Sequence, residues 1–339
     1  MAALSSPHAS GVVFSTGLPN CREGRLYPIG AVSPDWFAEI GERADALGYY
    51  SLWTNEFLTT DPSVVARFDT SPTYFDPLLT FAWIARATST IRFVTSTVVL
   101  PLHEPVLLSR QVATLDVLSD GRVTLGIGLG GTAEEFHRIH GELTVPNRGV
   151  LMDEYVSALR VLWEDASSSF DGQHVRFDQL HMFPKPVQRP LPLFMAGDAE
   201  GVLRRLARYG QGWIDTTALP DAIASRKEVL ARYAREAGRG SDKIVITRQF
   251  YVSLATDEQE AIDNHRRSFP GSKTPVTAAN PPDKEVNLVG TPEQLARRLG
   301  EYVRAGVDEI CTIFYAPDKP SLLRQMELFA SDVVPAVGR

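Results

Sequence analysis

Strand-like and helix-like segments alternate along nearly the whole chain, and this alternation restricts the possible folds more than any other feature. Eight apolar segments of strand length occur, and most are separated by segments whose apolar residues recur at helical spacing. Such alternation requires a mostly parallel sheet, and eight units of this size fit a closed barrel better than an open sheet. The sequence therefore predicts an α/β fold, a (β/α)₈ TIM barrel that forms a single domain over residues 1–339.

Turn and helix-capping residues place the elements of this barrel along the sequence. The predicted strands span residues 11–15, 51–56, 91–100, 123–130, 191–197, 212–215, 244–255 and 309–315. Three helix starts combine a capping residue with proline at the first helical position, at Ser33-Pro34, Asp76-Pro77 and Thr291-Pro292. Insertions in the strand-to-helix loops are expected at residues 57–74, 165–189 and 268–288. The second contains a hairpin signal at Asp171-Gly172, and the third is predicted to be a mobile lid.

The composition is that of an ordinary globular protein, with 44% hydrophobic and 22% charged residues. The net charge is −7 and the basic residues are scattered, which argues against nucleic acid or a membrane as a partner and favours a small organic molecule. No apolar run reaches the roughly eighteen residues of a membrane span, and the first residues do not resemble a signal peptide, so a cytoplasmic protein is expected. Two cysteines are too few for a disulfide framework.

Gly126, Gly128 and Gly131 match the spacing GxGxxG after a predicted strand. A dinucleotide-binding fingerprint opens a helix and is followed by a second strand with an acidic residue about 20 residues later, whereas here a long helix occupies that span. We therefore expect no Rossmann site. In a barrel these glycines can serve either of two purposes: they let a flat cofactor ring approach the backbone, or they allow tight packing of small residues.

Active sites of TIM barrels form at the carboxyl ends of the strands. Here the predicted strand ends carry Asn55 and Glu56, then Thr95, Ser96 and Thr97, then residues 128–131, then Gly197 and Asp198. Glu56 is a candidate catalytic acid or base, with loop bracing or helix capping as the alternative. His103, just past the third strand, is a second candidate, with a surface imidazole as the alternative. No metal site is expected, because His137 and His140 lack a third placed ligand.

Three stretches of the chain resemble the luciferase-like flavin and deazaflavin oxidoreductases, and the resemblance extends over residues 11–315. These stretches are residues 74–136, which include YFDPLLT and LPLHEP, residues 148–163, and residues 184–213. The resemblance implies a barrel with insertions, often a homodimer, that binds reduced FMN or the deazaflavin coenzyme F-420 at the strand ends.

The resemblance also implies positions for the cofactor. One face of the ring would contact Thr95, Ser96 and Thr97, with a non-prolyl cis peptide near Thr97-Val98. The opposite wall would comprise Gly128, Gly130 and Gly131, and Asn55 would also line the site. The cofactor phosphate would bind at the strand-to-helix junction of Ala196, Gly197 and Asp198 through backbone N–H groups, as helix N-termini can. Arg148 would be a charge partner of the cofactor, with bracing of its own helix as the alternative.

Three positions depart from the family pattern. Where many members have an acid followed by histidine after the second strand, this chain has Glu56-Phe57. Where the luciferase branch has an arginine that grips the FMN phosphate, this chain has Leu129, which favours the deazaflavin branch. Gly131 replaces a tryptophan or acid that is common in that branch.

Three functions remain open at this point. The leading hypothesis is hydride transfer between coenzyme F-420 and a carbonyl, alcohol or activated alkene, with Glu56 or His103 as the proton donor. The second is oxygenation with FMNH2 and O2, which requires a flavin reductase as cofactor supplier. The third is a flavin or deazaflavin-binding protein without catalytic activity, consistent with Phe57 in place of histidine.

Overall fold

The computed structural model describes residues 11–60, 65–66, 70–130, 133–140, 145–240, 244–268 and 287–337. The strands are β1 (Val13–Gly17), β2 (Ser51–Thr54), β3 (Arg92–Thr95), β4 (Val98–Val99), β5 (Val123–Gly128), β6 (Ser168–Asp171), β7 (Arg176–Leu180), β8 (Leu193–Ala196), β9 (Gly212–Asp215), β10 (Val245–Leu254), β11 (Asn287–Gly290) and β12 (Glu309–Phe314). The helices are α1 (Pro34–Ala46), α2 (Pro77–Ala85), α3 (Pro105–Leu118), α4 (Ala133–His140), α5 (Val145–Glu164), α6 (Glu200–Tyr209), α7 (Pro220–Glu236), α8 (Glu258–Ser268), α9 (Pro292–Arg304) and α10 (Lys319–Leu328).

Within the described residues, eight parallel strands close into a ring in the order β1, β2, β3, β5, β8, β9, β10 and β12. The ring closes because β12 pairs with both β10 and β1. Strand β4 continues β3 after a bend and pairs with β5, and β11 pairs with the far end of β10. The prediction of a (β/α)₈ TIM barrel is confirmed. In this ring β1 and β8 lie opposite each other, with three strands between them on either side.

The helices begin where proline and capping residues predict. Asp76 caps α2 by accepting a hydrogen bond from the Leu79 backbone N–H at 2.8 Å. Thr291 and Gln294 form a capping box at the start of α9. Ser33 is the N-cap residue of α1 but makes no side-chain cap bond. Among the described residues, no helix combines the length and apolar content needed to cross a bilayer.

Toward the amino ends of β2 and β12, a buried polar network is centred on the Glu309 carboxylate. Oε1 of Glu309 accepts hydrogen bonds from Ser15 Oγ at 2.5 Å, Ser51 Oγ at 2.6 Å and Trp53 Nε1 at 3.0 Å. A buried carboxylate is tolerated only when its oxygens are bonded in this way. The network ties β1, β2 and β12 together and fills the barrel interior below the carboxyl ends of the strands.

Of the three predicted insertions, only 165–189 lies wholly within the described residues, because 61–64 and 67–69 of the first and 269–286 of the third lie outside them. Strands β6 and β7 form the hairpin expected around Asp171-Gly172, with the Gly172 N–H donating to the Val175 carbonyl at 2.9 Å. The proposed lid lies mostly outside the described residues, except that its last residues belong to β11, a strand that the sequence did not predict.

Candidate active site

The carboxyl ends of the barrel strands meet at one end of the ring, and the predicted site residues follow them. Asn55 and Glu56 come directly after β2 and are each only 6% exposed. The Asn55 amide nitrogen is buried and has no hydrogen-bond partner within the described residues. A buried amide without a partner is costly, and the role of Asn55 as a cofactor contact stays a prediction.

Glu56 and His103 form a buried pair at this end of the barrel. The Nε2 atom of His103 lies 3.0 Å from Oε1 and 2.9 Å from Oε2 of Glu56. Oε2 also accepts a hydrogen bond from the Val99 backbone N–H at 2.8 Å, which fixes the carboxylate. The His103 side chain keeps 18% of its surface exposed, whereas that of Glu56 keeps 4%. The carboxylate is therefore enclosed, whereas part of the imidazole that it contacts remains accessible.

The predicted strand at residues 91–100 is divided into β3 and β4 by a bend. The bend contains a non-prolyl cis peptide between Ser96 and Thr97, one bond earlier than the resemblance implied. Before the bend, Thr95 both accepts from the Gly126 N–H and donates to the Gly126 carbonyl, each at 2.8 Å. Ser96 and Thr97 remain half-buried at the barrel mouth, so their position as cofactor contacts stays a prediction.

The glycines of β5 are surrounded by protein atoms. A Cβ at Gly126 would lie 1.8 Å from the Thr95 carbonyl oxygen, and one at Gly128 would lie 2.5 Å from the Thr97 hydroxyl oxygen. Gly130 has φ +81°, and a Cβ there would lie 2.5 Å from the Phe136 ring. Tight packing therefore accounts for glycine at these positions. Their backbone can still line a cofactor site, and Gly131 lies outside the described residues.

Gly126→Ala is expected to lower the free energy of unfolding by about 2 to 3 kcal/mol, because the added methyl group meets backbone rather than a movable side chain. Urea unfolding monitored by circular dichroism measures this difference. Gly201→Ala in α6 is the matched control, since its nearest neighbour would be an Arg205 nitrogen at 3.7 Å. Equal stability of both variants would contradict a packing role for Gly126.

The junction between β8 and α6 has free backbone donors. Gly197 has φ +118°, and its carbonyl accepts a hydrogen bond from Trp213 Nε1 at 2.8 Å. Helix α6 begins without a side-chain cap, and the Val202 N–H bonds to the Ala199 carbonyl at 2.9 Å, so any anion would bind through the N–H groups before Val202. Asp198 is exposed and forms an ion pair with Arg226 at 3.1 Å. Ala196 is half-buried at the end of β8.

Arg148 contacts the loop that follows β5. It lies within the first turn of α5, whereas the sequence predicted a position just before this helix. One of its terminal nitrogens donates to the Leu129 carbonyl at 3.0 Å, and the guanidinium lies 4.2 Å from the centre of the Phe136 ring. Burial lowers the pKa of Arg148, which nevertheless remains cationic. Its observed contacts are structural, and its role toward a phosphate stays a prediction.

Sequence reasoning named Glu56 and His103 separately but did not predict their contact, and it missed Arg22 and Tyr251. Arg22 follows β1 and Tyr251 lies on β10, and the two side chains meet at the same end of the barrel. The segment around Arg22 matches no motif, so no signal in the sequence could have identified it. Among the described residues, no group of three His, Cys, Asp or Glu side chains is arranged to hold a metal ion.

The profile of the luciferase-like monooxygenase family matches residues 14–309 of this chain. The chain belongs to this family. The predicted family and the prediction of an enzyme are thereby confirmed.

Of the similar proteins, some have no assigned function, and others use either F-420 or FMNH2. An uncharacterized protein of Mycobacterium tuberculosis is 38% identical over 145 residues, which are 42% of this chain and 50% of the relative, so the match spans about half of the relative's length. An F-420-dependent glucose-6-phosphate dehydrogenase of Kineococcus radiotolerans is 26% identical and covers 89% of this chain and 93% of the relative. An FMNH2-dependent dimethylsulfone monooxygenase of Pseudomonas putida is 26% identical and covers 69% and 70%, respectively.

Solved structures agree with the fold. An F-420-dependent secondary alcohol dehydrogenase superposes with a TM-score of 0.76 at 19% identity and covers 97% of this chain and all of the other. A monooxygenase from Streptomyces bottropensis superposes with the same TM-score at 22% identity and covers 96% and 99%. At such identities the likeness establishes the barrel alone.

Proposed function

We propose that this enzyme transfers a hydride between coenzyme F-420 and a small organic substrate, namely an alcohol, a carbonyl compound or an activated alkene. The observation that carries this proposal is the Glu56–His103 pair, with both carboxylate oxygens within 3.0 Å of Nε2. Hydride transfer to or from these substrates moves a proton as well, and it therefore needs a placed acid or base.

His103 is the group that moves the proton in this proposal. With Nε2 protonated and bonded to the Glu56 carboxylate, the lone pair of the imidazole is on Nδ1, which makes no hydrogen bond within the described residues. Nδ1 accepts the proton of an alcohol, or in the reverse direction returns it to a carbonyl oxygen. Glu56 fixes the tautomer and stabilises the imidazolium, while the Val99 N–H keeps the carboxylate in place.

The residues at the strand ends fit a deazaflavin or flavin cofactor. The unpartnered amide of Asn55 and the uncapped start of α6 would bind its polar groups, and Ser96 and Thr97 would contact its ring. When bound, coenzyme F-420 supplies or accepts the hydride. The protein orients the substrate against it and excludes water.

This proposal is tested with the purified protein, oxidised coenzyme F-420 and a panel of primary and secondary alcohols. The expected result is a loss of the visible absorbance of the deazaflavin, and this loss should require both the protein and an alcohol. Binding of the deazaflavin without turnover across alcohols, carbonyl compounds and activated alkenes would instead favour a binding protein.

The second candidate is an oxygenase that uses FMNH2 and O2 and receives its cofactor from a separate flavin reductase. Its support is the similarity to FMNH2-dependent monooxygenases, which extends over 69% of this chain for one relative and 96% for another. Oxygen consumption with reduced FMN, together with failure to bind coenzyme F-420, would establish this candidate and overturn the first.

We also propose that the chain forms a homodimer through α2 and α3, two helices that pack side by side. Leu79 and Trp83 on α2 are 71% and 60% exposed, and Leu107 and Leu118 on α3 are also exposed. Large apolar side chains clustered on neighbouring helices are typical of a protein interface.

Trp83→Glu is expected to weaken self-association at least tenfold, because it places a charge in a desolvated contact. Sedimentation equilibrium measures the dissociation constant. Ala224→Glu adds the same charge to an exposed position of α7, across the barrel, and should leave association unchanged. A monomeric wild-type protein would refute the proposed dimer.

A further inference from the structure

Arg22 is a buried cation at the barrel mouth and lies outside the Glu56–His103 pair. Its side chain is 6% exposed, and one terminal nitrogen, Nη1, donates a hydrogen bond to the Tyr251 hydroxyl at 3.0 Å. Its Nε atom is buried and has no hydrogen-bond partner in the part of the chain that the structure describes. Burying a guanidinium with an unsatisfied N–H is unfavourable, so a compensating anion is expected nearby.

The adjacent ionisable groups do not pair with Arg22. Glu23, the adjacent carboxylate, bonds instead to the backbone N–H groups of Val32 and Thr73, both at 2.9 Å. Burial raises the pKa of Tyr27 and Cys311, and the charge of Arg22 only partly offsets this effect. These groups are therefore neutral at physiological pH, and Arg22 forms no ion pair with any carboxylate in the described ranges.

The loop that carries Arg22 is rigid. The Arg22 carbonyl accepts hydrogen bonds from the N–H groups of Arg25 at 3.1 Å and Leu26 at 2.9 Å, which closes a tight turn directly after β1. The hydroxyl of Tyr27 in this turn is a second buried polar atom without a partner in the described structure. The Arg22 guanidinium is therefore held by its turn and by Tyr251 before any ligand arrives.

In the proposed arrangement the cofactor phosphate lies across the ring from Arg22. The proposed phosphate position lies at the start of α6, directly after β8, and β8 is opposite β1 in the ring. A cofactor anchored at β8 with its ring over the bend after β3 leaves the β1, β10 and β12 side of the mouth for the substrate. Arg22 and Tyr251 lie on that side.

We infer that the substrate of this enzyme carries a carboxylate and that Arg22 binds it. This inference rests on the proposed function, because it assigns the substrate class of the same site. Since Nη1 is engaged by Tyr251, the edge formed by Nε and Nη2 is the one that makes no hydrogen bond within the described residues. That edge presents two parallel N–H groups, which match the two oxygens of a carboxylate.

The inference is tested by fluorine NMR with 3-fluoropropionate, a small carboxylate, and its neutral amide as probes. Wild-type protein is expected to bind the carboxylate, and Arg22→Gln to weaken binding at least tenfold. Arg22→Lys keeps the charge but lacks the two-donor edge, so an intermediate loss is expected. Arg43→Gln removes the same charge from an exposed ion pair with Glu327 and should bind as wild type does.

Several results would overturn the inference: equal binding of the carboxylate to wild type and both Arg22 variants, equal binding of the amide, or tighter binding of inorganic phosphate in competition with the carboxylate. If Arg22→Gln does not fold, Arg22→Lys decides the matter alone. The binding measurement needs neither cofactor nor turnover. A negative result would therefore not affect the proposed role of Glu56 and His103. Conversely, if that role is refuted, the binding result can still be interpreted.

Discussion

Replacing His103 with alanine is expected to lower kcat about 10²- to 10⁴-fold, the range typical for loss of a positioned acid or base. The imidazole is the group that carries the proton, and removal of its ring leaves the Glu56 carboxylate fixed by Val99 but too deeply buried to reach the substrate directly. Initial-rate kinetics with an alcohol that passes the activity screen measure the change in kcat and KM. Binding of coenzyme F-420, followed by its fluorescence, should be unchanged.

His174→Ala is the matched control, because this histidine is exposed on the inserted hairpin and only its backbone is bonded, to Glu154. It should retain full activity. Glu56→Gln keeps the shape of the side chain but removes the charge that stabilises an imidazolium, so a loss of about tenfold or more is expected together with a changed pH profile. Wild-type turnover by the double variant of Glu56→Gln and His103→Ala would refute the assignment of this pair to proton transfer.

The architecture could be predicted from the sequence because its signals are local. Asp76-Pro77 and Thr291-Pro292 each define a helix start within a few residues, and a run of apolar residues such as 123–128 defines a buried strand. Repetition of these signals along the chain is sufficient for a closed parallel barrel. The bend at Ser96-Thr97 could not be predicted from the residues alone, because all neighbouring residues favour strand.

The site could be predicted only in part, because its contacts are not local. Glu56 and His103 are 47 residues apart and follow different strands, so their pairing depends on how β2 and β4 are placed in the ring. Phe57 stands where many family members have histidine, which suggested that the acid or base is lost. The structure instead places the His103 imidazole, from another loop, against the Glu56 carboxylate. Arg22 and Tyr251, 229 residues apart, are a second example.

Arg122→Met is expected to lower the free energy of unfolding by about 3 to 5 kcal/mol, the range for breaking a buried charged interaction. The guanidinium donates to the carbonyls of Ser119, Ile91 and Ala85 at 2.6, 2.9 and 2.9 Å, and also to the hydroxyl and carbonyl of Thr88. It thereby joins the ends of α2 and α3 to the starts of β3 and β5. Methionine preserves much of the apolar volume but leaves these buried acceptors without donors.

Arg92→Met is the matched control for this prediction. Arg92 is half-buried and makes one good side-chain bond, to the Gln188 amide oxygen at 2.7 Å, so a loss of about 1 kcal/mol is expected. Urea unfolding of both variants measures the two differences. Because Arg122 lies at the start of β5, away from the strand ends where Glu56 and His103 meet, the folded fraction of Arg122→Met should keep the wild-type kcat. A fall in kcat without a fall in stability would show instead that the amino end of the barrel is coupled to the active site.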